Sequence, residues 1–236
     1  MPDPIQICRG FTNKQWRELR ERLRQDDSDA WERAIAVFQR RITERYINCI
    51  ESLIDVDSHL DVEVPPEASW NYPLPDDTNK AAVVPGFSIV ALCCILADTL
   101  QSFREKAKSV QLEEAECKYP DGSCVRPSTT NQFKTFLKRP GFRGAFDDEK
   151  VAQSFVSGIR NGIFHEAETR DWVIWRDEPV GSIISTREQG YVLNRSLFYE
   201  AIGQEFQRYL DDLRNPTNDK LRPRFVEKMN DLVKEC

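Results

Sequence analysis

A chain of 236 residues, 40% hydrophobic and 31% charged, is long enough to bury a core without disulfide staples and has an ordinary globular balance. Its net charge of −6 argues against general attraction to a polyanion, so any contact with nucleic acid has to be local. Seven scattered cysteines, with no CxxC and no histidine at ligand spacing, read as reduced thiols, and neither a metal nor another cofactor is implied. "MPDPIQICRG" lacks the form of a signal peptide and no run of eighteen apolar residues stands out, so the expected location is cytoplasmic, with no membrane partner.

Along the chain, Thr12 followed by Gln15 has the form of a capping box and starts a short helix, "NKQWRELRERL". After "DDSD", Trp31, Ile35, Phe38, Ile42, Tyr46, Ile50 and Leu53 recur at intervals of three and four, the apolar stripe of a longer helix. From Asp55 to Pro85 acids and prolines predict a long loop, which holds His59 without any partner at a useful spacing. Helix resumes after Pro85-Gly86, where "FSIVALCCILADTLQSFREKAK" is apolar nearly all round at first and so belongs at the centre. Asp98 stands just past that stretch, and a carboxylate there calls for a partner, with arginine the natural one.

Residues 109–127 read as a connector. A helix from about Thr129 to Lys138, a turn at "RPGFRG" and a helix capped by Asp147 or Asp148 follow, the last burying Val151, Phe155, Val156 and Ile159. "DWVIWR", "SIIST" and "GYVLN" predict a small antiparallel β-meander near residues 171–194. Asn194 then caps a helix with Leu197, Ile202, Phe206, Leu210 and Leu213 inward, and a last helix runs from about Pro223 to Lys234. The expected fold is mainly α, with residues 1–84 packing on a core formed by residues 85–236 as one continuous domain.

The stretch "FVSGIRNGIFHEAETR", Phe155 to Arg170, carries the chemistry. It contains one of the two histidines, His165, five positions after Arg160. Five residues of α-helix turn through about 500°, which leaves the two side chains about 140° apart unless the helix breaks. Gly162 offers such a kink, with Ile163 and Phe164 buried beside it. An arginine and a histidine without an acidic metal cluster suit cleavage of RNA by its own 2′-hydroxyl. Histidine, with an unperturbed pKa of about 6.5, exchanges protons near neutrality, while arginine presents a fixed forked donor to the phosphoryl oxygens. Asn161 can orient the histidine or bind the phosphate, and basic Lys138, Arg139 and Arg143 form a candidate RNA-binding patch. One histidine must serve as base and acid, which two chains about a two-fold axis would solve. On spacing alone the plainer reading is the stronger: Arg160 pairs with a carboxylate and His165 is a satisfied core histidine.

Arg160-Asn161-Gly162-Ile163-Phe164-His165 resembles the R-x4-6-H motif of HEPN domains. The wider "QSFVSGIRNGIFHEAETRDWVI" and "ALCCILADTLQSFRE" are similar to a bacterial subgroup of that family, a likeness that spans roughly residues 85–213. The resemblance implies a helical bundle, commonly dimeric through the motif helices. Many members are metal-independent endoribonucleases acting as toxins or in antiphage abortive infection; others are catalytically inactive modules that bind protein or nucleotide. It implies catalytic roles for Arg160 and His165 with Asn161, support from Asp98, Gly162, Glu166, Thr169 and Arg170, RNA as substrate, and a regulatory or antitoxin protein as a further partner. Two departures stand out. Ala167 occupies the place where antitoxin-modified members carry a tyrosine, and the strands around Trp172 are an addition to the minimal bundle, with Trp172 and Trp175 expected to pack rather than stack on bases.

Overall fold

The computed structural model describes residues 5–58, 85–105, 129–176, 181–218 and 220–233. His59, most of the acidic and proline-rich loop, and the 109–127 connector lie outside the described residues. Among those described, the chain is mainly helical, with two small sheets.

A two-stranded hairpin, β1 (Gln6–Cys8) and β2 (Phe11–Thr12), precedes the first helix. That helix, α1 (Asn13–Leu23), starts at the predicted capping box: Thr12 Oγ1 accepts from the Gln15 N–H and Gln15 Oε1 accepts from the Thr12 N–H. Asp27 caps α2 (Ser28–Ile42), which passes without a break through a π-helical turn, Thr43–Ile47, into α3 (Asn48–Ser58). The single long helix read from the apolar stripe therefore exists. The π turn holds one residue more than an α turn and rotates Ile50 back to the core after Tyr46 and Ile47, both only partly buried.

The central element is α4 (Gly86–Arg104). Its mean hydropathy reaches 1.6 over eighteen residues, so by length and composition alone it is apolar enough to cross a membrane, although Asp98 interrupts the run. Here 56% of that stretch is buried, against α3 and three later helices, α5 (Thr129–Leu137), α8 (Arg195–Arg214) and α9 (Leu221–Leu232). Phe38 of α2 meets Phe103 of α4 at 4.6 Å, and Tyr209 and Phe225, of α8 and α9, at 5.5 Å each, so the N-terminal helices and the later bundle share one core. Trp16 reinforces that union by donating to Asn230 Oδ1 at 2.9 Å.

Between α5 and α8 run a short 3₁₀ turn (Pro140–Phe142), α6 (Glu149–Phe155) capped by Asp148, a second π turn (Val156–Asn161), and α7 (Gly162–Glu166). Three strands follow: β3 (Trp172–Trp175), β4 (Ile184–Arg187) and β5 (Gly190–Asn194). They do not form an antiparallel meander. The order is β3-β5-β4, with β5 antiparallel to β4 but parallel to β3. Trp172 pairs in register with Tyr191 and stacks on it at 4.7 Å, and this aromatic cross-strand pair, invisible in strand spacing, puts β5 in the middle.

Asp57, near the end of α3, ties that helix to the end of β3 and to the start of α8. Its Oδ2 accepts from Arg195 Nη2 at 2.7 Å and from Arg176 Nε at 2.9 Å, and it is nearly inaccessible. Burial alone would raise the carboxyl pKa; Arg195 and Arg176 more than reverse that and hold it below the ordinary value. A lowered carboxyl contributes stability that is present above the ordinary carboxylate range and is lost as pH falls through the folded value. Asp57→Ala, which leaves the buried Arg195 without its counter-ion, is expected to lower the unfolding free energy at neutral pH by about 3 kcal/mol. Urea titrations should show the gap to wild type narrowing in acid.

Candidate active site

The motif helix runs from α6 through the π turn into α7, and its faces do different things. One face is glycine. A Cβ at Gly158 would stand 2.8 Å from Trp172 Cδ1, and one at Gly162 would stand 2.4 Å from the Glu168 carbonyl oxygen. Four residues apart, the two glycines lie one above the other and make a bare strip on which the returning chain rests. The helix ends at Ala167, in the left-handed region with φ 54°, where the N–H groups of Ala167 and Glu168 both donate to the Gly162 carbonyl.

Gly162 is thus not a kink. Its φ of −59° and ψ of −47° are those of a regular helix, and its missing side chain is needed for the close approach of Glu168. The expected break that would swing Arg160 and His165 together is absent. The helix continues between them, with no break to bring the two side chains together.

On the face opposite the glycines, Arg160 is fixed on every side. Its Nε and Nη2 donate to Asp98 Oδ2 at 3.0 and 2.8 Å, and its Nη1 donates to Asn161 Oδ1 at 2.9 Å. Its guanidinium carbon lies 5.6 Å from the ring centre of buried Phe133 and 5.8 Å from that of Phe164, one turn further along. A guanidinium has five N–H donors; three are engaged by these residues, and the other two have no partner among the described residues. The arginine sought for Asp98 is therefore Arg160.

The carboxylate is only half used. Both bonds fall on Oδ2, and Asp98 Oδ1 accepts no hydrogen bond from the described residues. Burial raises the Asp98 carboxyl above its ordinary pKa, and the single arginine brings it only part of the way back. The sign is opposite to that of Asp57. A raised carboxyl contributes most to stability in acid, and that contribution declines as pH rises through the folded value.

His165 is exposed, not the satisfied core histidine of the plainer reading, and no hydrogen bond or ion pair joins it to Arg160, Asn161 or Asp98. It stands one turn beyond Asn161 on the same face of the helix, so Asn161 occupies the place between the two motif residues. Phe164, expected inside, is 37% exposed next to Arg160, and Ile95 is 38% exposed one turn before Asp98 and Thr99 on α4. Thr99 Oγ1 lies 3.4 Å from the Tyr46 hydroxyl, which places the first π turn along the same wall. No sequence signal singled out Tyr46, because its place in the apolar stripe is a core place.

The remaining candidates serve the frame. Thr169 Oγ1 donates to the Trp172 carbonyl at 2.7 Å and shapes the entry into β3, while Glu166 and Arg170 form an exposed pair at 2.6 Å. Trp172 is buried against Phe155 and donates to Ser154, as a packing residue does; Trp175 is exposed, with Arg187 5.9 Å from its ring centre. In the basic stretch, Arg139 turns inward to Gln101 at 3.1 Å, Lys138 pairs with Glu149 at 3.1 Å, and Arg143 is exposed. Among the described residues no group of histidine, cysteine and carboxylate side chains could hold a metal ion. The chain matches no protein-family model, no curated protein and no solved structure.

Gly162→Ala is expected to destabilise the fold by about 1–3 kcal/mol through overpacking against a backbone carbonyl. Gly203→Ala, in α8 with nothing within 4 Å of its added Cβ, is expected to raise stability by up to about 1 kcal/mol. Thermal melts of the two variants test whether the bare strip, rather than glycine's flexibility, is what position 162 supplies.

Proposed function

We propose that the protein is a metal-independent endoribonuclease of the HEPN type, which cleaves RNA by attack of the 2′-hydroxyl on the adjacent phosphate. The observation that carries this reading is the state of Arg160: a guanidinium clamped by Asp98, Asn161 and two rings, with two donors left among the described residues, on the same helix as an exposed histidine five residues on. Preorganised donors of this kind stabilise charge that builds on a phosphoryl group, because they need not reorient during reaction. His165 exchanges protons with the attacking or leaving oxygen, and Asn161 helps hold Arg160 in place.

The unbroken helix between Arg160 and His165 favours a site shared by two chains. In a homodimer joined through the motif helices, the Arg160 face of one copy meets the His165 face of the other across the two-fold axis, and each groove is complete. Exposed Phe164 and Ile95 supply apolar surface next to the ion pair for such a contact. Toxicity or an antiphage response, held in check by a regulatory or antitoxin protein, is the biological role that fits an RNA-cleaving activity of this type.

A second reading has its own support. A half-buried ion pair with no link to the histidine is also what an inactive module retains, and the apolar surface would then receive a protein partner.

Wild-type protein is expected to cleave total RNA in the presence of EDTA, and Arg160→Ala and His165→Ala to lose that activity while keeping the wild-type circular dichroism spectrum. Mixed after joint refolding, the two inactive variants should recover about a quarter of wild-type activity, since half the dimers then hold one intact groove. Cleavage that survives in both variants, or is absent from the wild type, favours the inactive module.

A further inference from the structure

In this reaction one group takes a proton from the 2′-oxygen and another gives one to the 5′-oxygen. A groove with a single imidazole has been assigned only one of them. We propose that Asp98 is the proton acceptor, with its free Oδ1 directed to the 2′-hydroxyl, and that His165 is the donor; this rests on the endoribonuclease reading.

Three features of the geometry point to that assignment. Oδ2 alone carries both bonds to Arg160, so Oδ1 keeps its acceptor sites while the carboxylate is held in place by its other oxygen. The side chain retains 29% of its accessible surface, so a substrate atom can reach it, whereas Asp57, held by two arginines, retains 9%. The same guanidinium that holds Asp98 has the two donors without a partner among the described residues, which sets the acceptor and the phosphate contact side by side. Among the described residues Arg160 from the motif helix is the charge that acts on the Asp98 carboxyl, and the nearest other titratable groups are the Cys94 thiol a turn back on α4 and the Tyr46 hydroxyl, which reaches Thr99 from the first π turn. Burial adds to the fitness of the group by making it a better base than an ordinary aspartate.

The step balances. As the 2′-oxygen bonds to phosphorus, its proton passes to Asp98 Oδ1; as the bond from phosphorus to the 5′-oxygen breaks, the His165 imidazolium gives its proton to that oxygen. The products are a 2′,3′-cyclic phosphate and a 5′-hydroxyl, and water returns the proton from Asp98 to His165. Protonation also neutralises the counter-ion of Arg160 at the moment when negative charge grows on the phosphoryl oxygens.

The assignment is tested with Asp98→Asn, which keeps an oxygen for Arg160 but accepts no proton, and with Asp98→Glu, which keeps the carboxylate. On an oligoribonucleotide, Asp98→Asn should lose about 10²- to 10⁴-fold in kcat. Wild type and Asp98→Glu should show a rate that falls in acid as the carboxylate is protonated, and the residual activity of Asp98→Asn should lack that limb. A substrate with a 5′-thio leaving group needs no proton donor, so it should rescue His165→Ala and leave Asp98→Asn slow. In the mixing experiment Asp98→Asn should complement His165→Ala but not Arg160→Ala, whose half of the groove it shares. The proposal is overturned by a wild-type profile without an acid limb, by Asp98→Asn within tenfold of wild type, or by its rescue with the thio substrate. Each of those results would leave the endoribonuclease reading standing if Arg160→Ala and His165→Ala remain inactive; a wild type that cleaves nothing ends both.

Discussion

The Glu168 carbonyl oxygen lies where a side chain at position 162 would begin, and most of the site's architecture follows from that contact. Because the chain can press this closely on the motif helix, it reverses within a few residues of His165 instead of running on. The reversal sets Trp172 over Gly158, where its ring closes the Phe155 cluster and its N–H reaches Ser154. From Trp172 the strand runs to Ile174 beside Gly86, at the start of α4, and then to Arg176 on Asp57. One face of the helix is thus spent on backbone contact, and Arg160 is left on the other, against α4 and α5.

Asp57 and Asp98 both hold arginines at partly or largely buried places, and their energetics differ in sign. Asp57 has two partners and its carboxyl is pulled below its ordinary pKa, so the ionised cluster favours folding at neutral pH. Asp98 has one partner, uses one oxygen and is pushed above it, so its ionisation opposes folding. A second donor, or an apolar pair of similar volume, would stabilise that place better. On the proposed mechanism that cost is offset by what the free oxygen does, since it leaves Asp98 an acceptor beside the arginine that holds it.

Much of the frame was legible in the residues themselves. Thr12 with Gln15, Asn194 and the apolar stripe from Trp31 to Ile50 each encode their structure locally, so the helices lie where periodicity and capping put them. The partnership of Asp98 followed from the cost of a lone carboxylate beside an apolar run. What failed depended on contacts made far along the chain. Gly162 reads as flexible in isolation and is rigid here because Glu168 needs its space. The strand order was missed because the pairing of Trp172 with Tyr191 spans a connection whose spacing equally suits a meander. Phe164 counted as core by its type, but Arg160, one turn before it, holds that face open. The π turns have no sequence signature in propensity or periodicity, since they differ from an α-helix by one residue per turn.

The acidity of the chain bears on how such a site would work. At a net charge of −6 the protein does not gather RNA by its overall field, and the basic stretch after α5 is largely internally committed, Arg139 to Gln101 and Lys138 to Glu149. Arg160 is neutralised as well while Asp98 is ionised, so the resting groove has little net charge with which to hold a phosphate indiscriminately. On the proposed mechanism that balance changes during the reaction: proton transfer to Asp98 removes the counter-charge while the phosphoryl group becomes more negative. The attraction then grows toward the transition state rather than in the ground state, which is the condition for an interaction to raise kcat instead of merely tightening binding. On that mechanism, weak ground-state capture and strong transition-state stabilisation would both follow from one shared oxygen, Asp98 Oδ2 on Arg160.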